Sequence, residues 1–204
     1  DFILPFPAPV PLKVGYALIK GEKTKLNIEN AVLRWGENNL QAGGFVTVAA
    51  DGLRASLDIK SDAVDVSTII DNFKKIFAEP EKKRSFFPDT KLPLRGMIRI
   101  AAPKVKWGRY NAEDVSADVL LHQDDVQLVF RQANLCTIAI PGKIIFARRD
   151  IRFHFQLAGS SHQLENVLDC LFDKTLRITG SYEFQASINS RGKHAQLKRA
   201  LRGN

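Results

Sequence analysis

Between Ile178 and Ile188 the chain alternates without interruption: Ile178, Gly180, Tyr182, Phe184, Ala186 and Ile188 on one side, Thr179, Ser181, Glu183, Gln185 and Ser187 on the other. Successive side chains of a strand point to opposite faces, so this pattern predicts a strand with one apolar and one polar face. The same alternation recurs along the chain. It is carried by Val46 and Val48, by Leu53, Ala55, Leu57 and Ile59, by Ile98 and Ile100, by Val126, Leu128 and Phe130, and by Phe153, Phe155 and Leu157. Turn signals separate these runs at Gly43-Gly44, Asp51-Gly52, Asp124-Asp125, Pro141-Gly142 and Arg149-Asp150. The expected fold is mostly β with a few short amphipathic helices (α+β), its repeated antiparallel-type strands forming a long curved sheet or groove. What covers the apolar face decides what such a chain does.

Three segments have helical period. Val66, Ile69, Ile70, Phe73, Ile76 and Phe77 share one face of a helix expected over Ser67–Ala78. Leu164, Val167, Leu168 and Leu171 do the same over Ser161–Asp173, where Ser160 and Gln163 have the spacing of a capping box. Leu197, Ala200 and Leu201 suggest a short last helix that stops at Gly203. The Pro- and charge-rich stretch EPEKKRSFFPDT, Glu79 to Thr90, is the candidate boundary between a first β unit (residues 1–90) and a second (residues 91–204).

The two units resemble each other. LNIENAVLRWGENNL from Leu26 aligns with IRIAAPKVKWGRYNA from Ile98, so that Trp35-Gly36 matches Trp107-Gly108. LPLRGMIRI from Leu92 likewise matches LRITGSYEF from Leu176, Gly96 against Gly180. The second unit carries an insertion at about Asn134 to Ser160. Such units do not bury their apolar face alone; joined edge to edge they make one continuous sheet. The start at Asp1 and the finish at LRGN read as an excised piece of a longer protein.

The 204 residues carry a formal charge of +8, with 45% hydrophobic and 25% charged residues, an ordinary globular composition that favours anionic partners. Nucleic acid is disfavoured among these because the basic residues are scattered, the densest groups being Lys82–Arg84, Arg148-Arg149 and Arg191 to Arg202. The aromatics sit mainly on the apolar side of strands and not among the basic residues; KKRSFF at Lys82–Phe87 is the exception.

No catalytic constellation emerges, and no enzymatic activity or cofactor is expected. The chain lacks the G-x-S-x-G, P-loop, G-x-G-x-x-G and H-E-x-x-H patterns. His122, His154, His162 and His194 are far apart and have no metal-ligand spacing. His154 falls on the polar side of its strand, and Ser160-Ser161 beside His162 reads as a helix start. Asp124-Asp125 and Glu113-Asp114 read as turn residues. The two cysteines, Cys136 and Cys170, either form one bridge or are unrelated thiols. A bridge would contribute about 3–4 kcal/mol through its loop of about 35 residues in the chain-entropy model.

LRGMIRI, KVKWGRYNAEDVSADVLL, QLVFRQANLCTIAIPGKI, HQLENVLDCLF and ITGSYEFQASINSRGKHAQLKRALRG, in this order, resemble the AsmA-like proteins of Gram-negative envelopes. The resemblance covers Leu92 to Asn204 and extends loosely into the first unit. It implies a periplasmic β-sheet groove lined with apolar side chains, in a parent protein anchored in the inner membrane. It also implies a role in carrying glycerophospholipid between inner and outer membrane, without an enzymatic site. An oxidising compartment further implies that Cys136 and Cys170 pair.

On this reading the lipid-facing residues are Ile98, Ile100, Val126, Leu128, Phe130, Phe153, Phe155, Tyr182, Phe184 and Ile188. The competing expectation is a structural or adaptor domain of the envelope, its sheet fully packed and its surface given to another envelope protein. Nucleic-acid binding ranks third.

Overall fold

The computed structural model describes residues 2–3, 12–67, 94–147, 150–161, 163–172, 178–192 and 202–203. The expected helix at Ser67–Ala78, apart from its start, and the Glu79–Thr90 boundary lie outside these residues, as does most of the expected last helix. The chain is mostly β, as its alternation requires. Among the described residues fourteen strands belong to a single sheet. They are β1 (Phe2–Ile3), β2 (Leu12–Glu22), β3 (Lys25–Trp35), β4 (Asn38–Ala49), β5 (Gly52–Lys60), β6 (Ala63–Asp65) and β7 (Leu94–Trp107). They continue as β8 (Tyr110–Leu121), β9 (Asp125–Leu135), β10 (Ile138–Ala139), β11 (Gly142–Ala147), β12 (Ile151–Ser161), β13 (Tyr182–Gly192) and β14 (Arg202–Gly203). One described helix, α1 (Leu164–Leu171), joins β12 to β13.

Neighbours in sequence are neighbours in the sheet, from β1 through β5, then β7 to β9, then β10 and β11 side by side, then β12 to β14. All pairs are antiparallel except β5–β7 and β6–β7. The expectation of antiparallel-type strands is corrected at this one join. A hairpin cannot link parallel neighbours, so β5 and β7 are not the arms of one hairpin. The insertion in the second stretch supplies β10, β11 and β12. The corresponding join, β12 to β13, is antiparallel over eleven paired residues.

Trp35-Gly36 and Trp107-Gly108 each end a strand and open a two-residue hairpin, with φ of +61° at Gly36 and +59° at Gly108. Glycine adopts this conformation without a Cβ penalty. Strand directions place both turns, the Cys136-Thr137 turn and α1 at the same end of the sheet.

Several local expectations are corrected. Gly43-Gly44 is no turn but lies inside β4. Gly44 and Gly96 flank β5, with φ of +133° and +143°, where an added Cβ would fall 2.1 Å from the Ser56 carbonyl oxygen and 1.8 Å from that of Ala55. These glycines admit close approach of neighbouring backbone, which looks like a turn signal in sequence. Glu113-Asp114 lies within β8, where Asp114 has φ of +51° beside a register shift against β9. Asp125 opens β9 after a bend at Gln123-Asp124. Ser160 caps no helix: it pairs with Glu183 in the β12–β13 ladder, and Gln163 at the start of α1 makes no side-chain cap. The strand expected from Ile178 begins at Tyr182, because the Gly180 carbonyl accepts the Leu164 N–H at the foot of α1. Arg202-Gly203, expected as a helix end, pairs with β13 instead.

Candidate functional site: an apolar sheet face

Cross-strand partners share a face of a sheet, so register assigns every side chain. Ile98 and Ile100 on β7 lie opposite Val119 and Ala117 on β8, which lie opposite Leu128 and Phe130 on β9. Leu121 adds Val126 to the same row. Through Gly142, Ile144 and Phe146 on β11 the row reaches Phe155, Phe153 and Ile151 on β12. From there it reaches Ile188 and Ser190 on β13, with Phe184 opposite Gly159 and Tyr182 opposite Ser161. All ten residues expected to face lipid therefore lie on one face.

The face also continues where the sequence reading had not placed it. In parallel register Leu57 and Ile59 on β5 accompany Ile98 and Ile100. Gly44 and Val46 on β4 then lead to Ile28 and Leu26 on β3, and Ile28 to Ile19 on β2. The alternation of β5 was legible, but the register shifts in β2 and β3 hid the parity of theirs. In Lys143-Ile144-Ile145-Phe146 three apolar residues in a row conceal which face each takes, and only pairing resolves it.

Aromatic rings fill the side of the face near β12. The ring centroids of Phe130 and Phe155 are 5.8 Å apart, those of Phe153 and Phe155 6.2 Å, and those of Tyr182 and Phe184 5.9 Å. The Phe155 ring lies over Gly142, and the Phe184 and Tyr182 rings lie over Gly159. Glycine opposite an aromatic gives the ring room to lie across the strand.

The described residues offer no second layer over this face, since outside the sheet they contain one eight-residue helix. None of their large side chains is fully buried. The small cluster of Leu40, Val64 and Ala102, with Leu33, Trp35, Ile59, Val66 and Val105 around it, is confined to the Trp-Gly end. Towards the other end the face is bare: Ile19, Leu26, Val48 and Leu53 are 53%, 47%, 56% and 40% exposed.

The opposite face is cross-linked by charge and largely polar, with Tyr16, Leu18, Val32 and Phe45 as exposed apolar exceptions on β2 to β4. Asp58, Arg99 and Asp118 stand in adjacent register on β5, β7 and β8. The Arg99 Nε–Asp58 distance is 2.6 Å, and Arg131 Nε donates to buried Asp118 at 2.6 Å. That carboxylate raises the Arg131 pKa above the usual guanidinium value, by hydrogen bonding and then by charge. His154 lies on this face against Asn189, as its parity predicted.

At the Trp-Gly end, Asn38 and Ser67 join the two hairpins through Asp65. Buried Asn38 bonds the backbone of Trp35 and Asp65, and Ser67 Oγ accepts the Gly108 N–H at 2.8 Å. The Asp65 pKa is lowered, first by the Ser67 side-chain hydrogen bond, then by its backbone N–H and by Lys106. No sequence motif announces Asn38; an asparagine two residues after Trp-Gly is the one local hint.

Cys136 and Cys170 form a disulfide, Cα atoms 5.7 Å apart, tying the β9–β10 turn to α1. Among the described residues no group of His, Cys, Asp and Glu is arranged to hold a metal, and no helix is long and apolar enough to cross a membrane. No family model, curated protein or solved structure matches the chain.

Proposed function

We propose that the chain is a non-enzymatic lipid-binding or lipid-conducting module whose apolar sheet face shields the acyl chains of glycerophospholipid. The observation that carries this reading is the continuous apolar face: register gathers apolar side chains from β2 to β13 on one side of the sheet, while the salt bridges lie on the other. Exposed apolar patches beyond a few hundred Å² are rare on soluble proteins unless something binds there. An acyl chain laid on such a face gains about 0.8 kcal/mol per buried CH₂. Its headgroup stays at the margin, where scattered Lys and Arg meet the phosphate.

The resemblance to AsmA-like proteins belongs to the same proposal. In this proposal the working compartment is the periplasm, and the parent protein, anchored in the inner membrane, is a bridge between inner and outer membrane. The test is binding of a fluorescent-tailed phospholipid to the detergent-free protein, with Phe155→Asp as the variant that removes it. Equal binding by this variant would dismiss the face as the site.

One observation favours the adaptor reading as a second role. On the polar face Tyr16 lies opposite Val32, with Leu18 beyond them, and these three are 56%, 38% and 42% exposed. A protein partner on that patch would leave the apolar face free. Tyr16→Ser would weaken capture of such a partner from envelope extract without changing lipid binding; unchanged capture would remove this role.

A further inference from the structure

We propose that the Cys136–Cys170 disulfide is a redox latch: intact, it holds α1 against the Trp-Gly end of the sheet, and a dithiol that reaches it frees α1 while the strands stay paired. The latch does not rest on what occupies the apolar face.

α1 has only eight residues, and its first residue is preceded by no side-chain cap. A helix this short is not stable by itself in water. Among the described residues its other anchors are hydrogen bonds at its two ends. Leu164 N–H donates to the Gly180 carbonyl, Arg109 donates to the Leu171 carbonyl at 2.7 Å, and the Tyr110 hydroxyl approaches the same carbonyl at 3.4 Å. Val167 is its one buried residue. The covalent tie therefore carries much of the docking.

The bond is also within reach. Cys170 is exposed and Cys136 half-buried, and both line an open cavity of about 500 Å³ with Arg109, Asn111, Thr137 and Asp169. Exposed disulfides are the ones that exchange with external thiols. Cys136 and Thr137 hold the hairpin turn with φ of +54° and +67°, a conformation costly for β-branched Thr. The strands on either side need no such tie, since β12 and β13 pair along eleven residues.

The chemistry balances with a dithiol as reductant. One thiolate of the dithiol attacks Sγ of Cys170, the Cys136–Cys170 bond breaks, and Cys136 leaves as a thiolate that takes a proton from water. The second thiol of the reductant then closes its own disulfide and releases Cys170. Two electrons pass from the dithiol to the cysteines.

The test is native-state hydrogen exchange on the whole chain, with and without dithiothreitol, with thiol alkylation read by mass. Both cysteines should alkylate without denaturant. Amides of Asn166–Phe172 should then exchange about tenfold faster or more, while β12 and β13 keep their protection. Reoxidation should restore the original rates, and Cys170→Ser should match the reduced protein. Resistance to native reduction, unchanged exchange in α1, or an equal rise in β12 and β13 would each overturn the latch.

Discussion

The Asn38 side chain brackets the backbone of Asp65: its Nδ2 donates to the Asp65 carbonyl at 3.0 Å, and its Oδ1 accepts the Asp65 N–H at 2.6 Å. One amide thus does for β4 and β6 what a pair of ladder hydrogen bonds does for adjoining strands. Asn38 is buried and also donates to the Trp35 carbonyl, so removing it takes a hydrogen bond from three backbone groups. Asn38→Ala is expected to lower stability by about 2–3 kcal/mol. Urea denaturation followed by circular dichroism checks this; a loss within error of zero would mean that water replaces the amide at no cost.

Gly96 and Gly108 both have positive φ but differ in their surroundings. A Cβ at Gly108 meets nothing within 4 Å, whereas one at Gly96 falls 1.8 Å from the Ala55 carbonyl oxygen. Gly108→Ala should therefore cost only the left-handed backbone term, about 1–2 kcal/mol. Gly96→Ala should cost clearly more, because β5 and β7 have to separate. Equal denaturation midpoints for the two variants would contradict the parallel β5–β7 register.

Two carboxylates link stability to acid. Asp65 has a lowered pKa through Ser67 and Lys106. At Asp125 burial acts upwards, but hydrogen bonds from His122 and Gln127 and the charges of His122 and Arg152 outweigh it, so that its pKa is also lowered. A carboxylate with a folded pKa below its unfolded value of about 3.9 contributes stability above that value and loses it as pH falls through the folded pKa. Urea midpoints should thus hold steady down to about pH 5 and decline below about pH 4. The Asp65→Asn, Asp125→Asn double variant should show a shallower decline; an identical slope would assign acid sensitivity to other groups.

Phe155 and Gln156 are neighbours on β12 that face opposite ways. Phe155→Asp should reduce phospholipid retention by about tenfold or more, in line with the roughly 1.5–3 kcal/mol of one buried aromatic contact. Gln156→Asp should leave retention unchanged. Parallel losses in both would point to general destabilisation, which circular dichroism would reveal.

The apolar face was legible because the side-chain period of a strand is set by covalent geometry. Phe153-His154-Phe155-Gln156 announces its two faces whatever it packs against. What the sequence hid was everything that depends on pairing. The parity of Lys143–Phe146, the register shifts beside Asn30, and the passage of β4 through Gly43-Gly44 are settled by a neighbouring strand. The capping-box reading of Ser160 failed for the same reason: its backbone is already held by Glu183 on β13. The parallel β5–β7 join had no local signal, since alternation is the same in either direction.

The most direct measurement is organic extraction and mass spectrometry of the whole chain, purified without detergent from a Gram-negative host. Stoichiometric glycerophospholipid, lost in Phe155→Asp and kept in Gln156→Asp, is the predicted result. A monomer with the same sheet and no lipid in any preparation would contradict the account and assign the apolar face to protein packing.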